Sequence, residues 1–118
     1  MEYVNDVIDD DRVLVQVSDA NFSNDPSGIS STESFGFRVL QKSIQEIFPD
    51  VIVAPALVIA ATDSRHLQHV ANDVYRFQPI QLNRSDLSKF HGIDENISVE
   101  NFERAIRFYR QLILNSSK

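Results

Sequence analysis

The 118-residue sequence has no cysteine and no tryptophan. Without cysteine there is no disulfide scaffold, no thiolate metal site and no cysteine nucleophile. Basic residues are outnumbered, 11 Lys and Arg against 17 Asp and Glu, for a formal net charge of −6. That balance excludes a broad phosphate-binding footprint and gives no attraction to anionic lipid, so neither nucleic acid nor membrane is an expected partner. Long apolar runs are also missing. The longest, Val51 to Ala61, falls far short of the ~20 residues that span a bilayer. Met1-Glu2-Tyr3-Val4-Asn5-Asp6 has neither the basic nor the apolar part of a signal peptide. No repeat or low-complexity tract is present. What remains is 42 % hydrophobic and 24 % charged, ordinary for one globular domain or a piece of one.

Periodicity divides the chain. Arg12–Val17 places Val13, Val15 and Val17 on one face, a strand signal. Ser18 to Ser31 is rich in Ser, Asn, Asp, Pro and Gly and reads as a long loop or a junction between domains. Ser30 and Glu33 fit a capping box. Phe37, Leu40, Ile44, Ile47 and Phe48 then recur at helical spacing until Pro49 stops the helix. Gly36 inside that helix suggests close packing. Val51 to Ala61 lacks any polar side chain, as a strand buried on both faces does, with Pro55 marking an edge or bend. Asp63 or Ser64 opens a short helix over Arg65–Asn72. Val74–Ile80 alternates and predicts another strand, and a polar loop follows over Gln81–Ile97. Ser98 caps a final helix whose apolar stripe is Phe102, Ile106, Tyr109 and Ile113. Glu100–Arg104 and Glu103–Arg107 are i,i+4 pairs in the favourable order. Alternating strands and helices predict an α/β fold, a partial sheet with helices packed on it.

Two polar clusters are candidates for chemistry. Thr62-Asp63-Ser64-Arg65-His66 follows the most apolar strand and precedes a helix, where ligands sit in open α/β sheets. The helix start favours an anion, and Arg65 offers a bidentate clamp for a carboxylate. The plain alternative is a capping Asp63 and a surface Arg65. His91-Gly92-Ile93-Asp94-Glu95 precedes the last helix. Its imidazole is a metal-ligand type, and a carboxylate nearby orients such a ring. The alternative is a loop histidine beside a turn glycine, since one histidine makes no metal site. His66 and His69 share a helix face, a spacing that could hold a metal ion, and read rather as an exposed pair. Arg104, Arg107 and Arg110 read as a solvated face.

Three stretches in order, FPDVIVAPALVIAATDSRH, NDVYRFQPI and FHGIDENISVENFERAIRFYRQLI, resemble the C-terminal end of the M20 metallopeptidase family. The carboxypeptidase S-like members, which include N-acyl-amino-acid hydrolases, are the most similar. The resemblance spans about Asp11 to Asn115. It implies a co-catalytic two-zinc hydrolase that cleaves peptide or N-acyl amide bonds beside a free carboxylate. It also implies a Zn-peptidase-like α/β catalytic domain with an inserted lid domain. By the resemblance, residues 1–18 are the end of the lid or dimerisation domain and its hinge. Residues 19–118 are then the C-terminal portion of the catalytic domain. His91 matches a zinc ligand, Glu95 a supporting glutamate, and Thr62, Asp63 and Arg65 a substrate-binding turn.

There are departures. Ala60 and Ala61 stand where the family has glycines, and Asp94 where it has asparagine. The family's H-x-D and E-E motifs, which carry its other metal ligands and general base, do not occur in these 118 residues. The resemblance therefore predicts a fragment with no catalytic residue of its own, inactive alone and without tight zinc. Exposed apolar edges predict self-association. The competing reading is a stand-alone α/β binding or interaction module without catalysis. Neither reading specifies a compartment.

Overall fold

The computed structural model describes residues 2–17, 26–60 and 62–117. Its architecture rests on two helices, α2 (Phe35–Ile47) and α3 (Val99–Ser116). A short helix, α1 (Glu2–Ile8), buries no residue and ends at Asp9, whose φ is +44°. Two 3₁₀ segments, Asp63–His69 and Arg84–Lys89, lie between α2 and α3.

Each long helix starts where a hydroxyl satisfies a free backbone donor. Ser34 Oγ accepts from the Phe37 N–H at 3.1 Å, and Ser98 Oγ accepts from the Asn101 N–H at 3.1 Å. The cap of α2 is thus Ser34, not the expected Ser30–Glu33 box. Ser30 is committed elsewhere, donating to the Val74 carbonyl and accepting from the Val74 N–H. Phe48 closes α2 one residue before Pro49, as the sequence predicts.

α2 and α3 pack through Ile44, Phe48 and Phe108, with Leu40, Ile47, Val53 and Leu112 around them. A polar contact lies within the same interface. The Asn115 amide donates to Ser43 Oγ at 3.0 Å and to Glu46 Oε2 at 2.8 Å. Ser43 in turn donates to the Val39 carbonyl at 2.8 Å. Among the described residues no buried side-chain polar atom lacks a partner, as a buried polar contact requires.

The face of α3 that packs is not the one its apolar stripe predicts. Phe108 is 1 % exposed, whereas Phe102 is 58 % exposed and Ile113 68 %. Ile106 and Tyr109 are exposed with them. The stripe is amphipathic as expected, but α2 covers the neighbouring face.

The expected partial sheet is absent: no strand occurs among the described residues. Arg12–Val17, Val51–Ala60 and Val74–Ile80 carry strand-like patterns and form no strand ladder. Ile52 is 95 % exposed and Ile59 101 %, and among the described residues of the run read as buried on both faces only Val53 is partly covered. The physical reason is non-locality. A helix satisfies its own N–H and C=O groups, but a strand needs a neighbouring backbone, and none is alongside. The accessible surface, 10358 Å², reflects this, since a folded monomer of this mass exposes about 6,500 Å². The radius of gyration is 19.4 Å, against about 13.5 Å for a compact domain of this length.

Residues 73–81 bridge the two helices nonetheless. At one end the Ser31 N–H donates to Asp73 Oδ1 at 2.7 Å, and the Tyr75 hydroxyl bonds Ser34 and the Ser31 carbonyl. Gly36 permits this approach. A Cβ there would lie 3.2 Å from the Tyr75 ring, the close packing the sequence suggests. At the other end Asn101 mimics a backbone pair, accepting from the Gln81 N–H and donating to the Gln81 carbonyl, both at 2.9 Å. Between them Phe77 packs tilted against Phe108, with ring centroids 5.1 Å apart and the planes at 50°. The expected boundary between residues 18 and 19 and most of the Ser18–Ser31 loop lie outside the described residues.

The packing makes a direct test of which α3 face matters. Phe108→Ala should destabilise the chain by about 3–5 kcal/mol, the cost of emptying a buried aromatic site. Phe102→Ala should change stability by no more than about 0.5 kcal/mol. Urea unfolding followed by circular dichroism measures both.

Candidate functional site

The first cluster forms the entry to the 3₁₀ segment Asp63–His69. Thr62 is its cap in extended conformation, and its Oγ1 accepts from the Ser64 N–H at 3.3 Å. The Thr62 and Ser64 hydroxyls bond one another. The Arg65 N–H donates to the Thr62 carbonyl at 3.2 Å, and Arg65 Nε donates to His66 Nε2 at 3.2 Å. Asp63 is exposed, and Arg65 is partly shielded. Thr62, Asp63 and Arg65 are therefore held in one tight turn; its cap is Thr62, where the sequence predicts Asp63 or Ser64 opening a helix over Arg65–Asn72, and the segment is 3₁₀ and ends at His69. Ala61 lies outside the described residues. His66 and His69 are both exposed, three apart in a 3₁₀ segment, where such side chains eclipse.

The second cluster follows the 3₁₀ segment Arg84–Lys89, which the sequence reads as loop. Asp86 organises that segment. Its carboxylate accepts from the Asn83 N–H at 2.9 Å and from Lys89 Nζ at 2.9 Å. The Lys89 ammonium, then the Asn83 N–H, hold the Asp86 carboxyl below its ordinary value of 3.8. The chain then turns at His91, whose φ of +56° places it in the left-handed region. A non-glycine residue seldom adopts that conformation, and such residues concentrate at functional turns. Gly92 donates its N–H to the Lys89 carbonyl at 2.9 Å. A Cβ on Gly92 would lie 2.8 Å from the Ser88 carbonyl oxygen, so a side chain has no room there. His91, Asp94 and Glu95 are exposed, and the Asp94 carbonyl accepts from the Asn96 amide at 2.6 Å.

Among the described residues no hydrogen bond or ion pair joins the two clusters. Among the described residues no three His, Asp or Glu side chains converge to hold a metal ion. The described residues alone thus do not fit a zinc centre, and His91 is a single imidazole donor there. A cavity of about 740 Å³ lies elsewhere, between residues 51–58, residues 74–81 and the apolar face of α2. Neither cluster lines it, but Arg76 does.

Arg76 is a residue bonded to the first candidate cluster that sequence reasoning passed over. It lies in the alternating Val74–Ile80 stretch, where its neighbours Tyr75 and Phe77 draw attention to packing. Its Nε donates to Ser64 Oγ at 2.5 Å and to Thr62 Oγ1 at 3.3 Å. A lone cation within an apolar alternation was the available signal.

Comparison with known proteins places these features in context. The chain is 42 % identical over 120 residues to the probable carboxypeptidase S-like 2 of Dictyostelium discoideum, covering 100 % of this chain and 22 % of that protein. It is 39 % identical over 113 residues to an N-fatty-acyl-amino acid synthase/hydrolase of Danio rerio, covering 96 % and 22 %. The corresponding Mus musculus protein is 38 % identical over 117 residues, covering 98 % and 23 %. No family model matches the chain, and no solved structure does. By name these relatives are a probable carboxypeptidase S-like protein and N-fatty-acyl-amino acid synthase/hydrolases. The chain belongs to the M20 family, alongside its carboxypeptidase S-like members, and matches the C-terminal part of those proteins. It spans just over a fifth of the length of the curated relatives it matches.

Asp86 gives the loop before α3 a pH response of defined sign. Its lowered value means the folded turn favours the carboxylate. The contribution is complete above the ordinary value and is lost as pH falls through the lower folded value. Acidification below about pH 4 should loosen residues 83–89, while Asp86→Asn should remove that transition. The Asn83 amide shift, followed by NMR titration, reads the effect; an identical acid transition in both proteins contradicts it.

Proposed function

We propose that this chain is the C-terminal part of a zinc-dependent amidohydrolase or carboxypeptidase that cleaves peptide or N-acyl amide bonds beside a free carboxylate. The observation that carries the reading is identity along the whole chain to carboxypeptidase S-like and N-fatty-acyl-amino acid synthase/hydrolase proteins. The two clusters fit it. In the complete protein His91 contributes one of several zinc ligands, and Glu95 supports it from behind. Thr62, Asp63 and Arg65 form the turn that receives the substrate, with the Arg65 guanidinium opposite its carboxylate. A planar guanidinium matches a carboxylate with two parallel hydrogen bonds. Zinc, when bound, polarises the scissile carbonyl; the residues of this chain position and orient. The general base lies outside these 118 residues, so the isolated chain is inactive.

The assignment of His91 is tested by metal content in the longer protein. His91→Ala should lose about one zinc per chain and nearly all turnover while the circular dichroism spectrum is kept. His66→Ala and His69→Ala should retain full zinc. In the isolated chain elemental analysis should find no stoichiometric zinc. Zinc bound there through His91 contradicts the reading, as does full zinc in the longer His91→Ala protein. For Arg65, Arg65→Ala should weaken catalysis on free-carboxylate substrates by about 1.5–3 kcal/mol and spare the amidated analogue.

The isolated chain also self-associates in this reading. Phe102, Ile106, Tyr109 and Ile113 form one exposed apolar stripe on α3, and Ile52, Leu57 and Ile59 add a second exposed apolar run. Contiguous patches of this kind mark association surfaces. Light scattering should show a dimer or larger species at high concentration; a clean monomer counts against it.

A further inference from the structure

We infer that Arg76 is a positioning residue for the Thr62–Arg65 turn, holding the carboxylate-binding guanidinium of Arg65 in register with the rest of the molecule; this rests on the proposed role of Arg65. The inference follows from how that turn is attached. Its own bonds are local: Ser64 and Arg65 N–H to Thr62, Arg65 Nε to His66, and Val70 and Ala71 N–H to the Leu67 carbonyl. Among the described residues, the hydrogen bonds that leave residues 62–71 are the two from Arg76 Nε. The turn is otherwise exposed or half-exposed and buries no residue of its 3₁₀ segment.

Arg76 is well placed to serve as an anchor because its own backbone is fixed. Val74 is bonded through both backbone groups to Ser30. Asp73 accepts from the Ser31 N–H, and Tyr75 bonds Ser31 and Ser34. Ser34 is the cap of α2, and the Tyr75 ring lies 5.8 Å from that of Phe37. The path is continuous: α2 start, Tyr75, Arg76, the Thr62 and Ser64 hydroxyls, Arg65. Arginine suits the role. Nε binds both hydroxyl oxygens while the planar group keeps its remaining N–H donors. Glutamine is too short and neutral, and lysine carries the charge without the fork.

A hydrogen bond to a charged group is worth roughly tenfold in an equilibrium, which sets the scale of the test. In the isolated chain, Arg76→Gln should speed amide exchange of Ser64 and Arg65 about tenfold. The cap amides Phe37 and Asn101 should be unchanged. Arg76→Lys should restore part of the protection. In the longer protein Arg76→Gln should raise KM for a free-carboxylate substrate about tenfold, lower kcat less, and leave the amidated analogue unaffected. Adding Arg65→Ala to Arg76→Gln should cost no more than Arg65→Ala alone, because both remove one contact. Unchanged exchange at Ser64 and Arg65 overturns the tether. Equal losses on the two substrates overturn the positioning role. If exchange rises but Arg65→Ala shows no preference for the free carboxylate, the assignment of Arg65 has failed and the tether stands.

Discussion

The contact on which this structure depends is the packing of α2 against α3. Phe108 fills the gap against Ile44 and Phe48, and Asn115 bonds Ser43 and Glu46 in the same interface. The aromatic ring supplies area removed from water, and the amide supplies register, because a shifted helix would leave its two donors without acceptors. Everything else hangs from these two helices. The segment 73–81 is tied to the start of α2 by Ser30, Ser31 and Ser34 and to the start of α3 by Asn101. The candidate substrate turn is tied to that segment by Arg76.

This dependence explains the distribution of exposed apolar surface. Two helices can bury one face each. The second stripe of α3 and, Val53 apart, the run from Ile52 to Ala60 are left outside that interface. Their composition is that of interior surface: Ile59, Leu57, Phe102 and Ile113 are large side chains in water. Homology to the C-terminal part of proteins several times longer accounts for such composition without invoking a defect of the sequence.

The candidate sites were legible in the sequence to differing degrees. Turns were readable because their chemistry is local. Thr62 at the head of the 62–65 turn and Gly92 after His91 are both dictated by neighbours within a few positions. The left-handed conformation of His91 was not readable, since composition gives no sign of it. Arg76 was hidden for another reason. Its partners are 12 and 14 positions away, and its spacing resembles the polar side of a strand.

The sequence by itself determined the two long helices, the Ser98 cap of α3, the stop at Pro49 and the order of the motif-bearing turns. These follow from interactions within four or five residues, which any chain carrying those residues makes. Only the tertiary structure decided which face of α3 is buried, because Phe108 and Phe102 are equally apolar and the choice belongs to α2. It also decided that Val51–Ala60 and Val74–Ile80 form no sheet. A strand pattern states a preference for a neighbour, and the pairing itself needs that neighbour's backbone alongside.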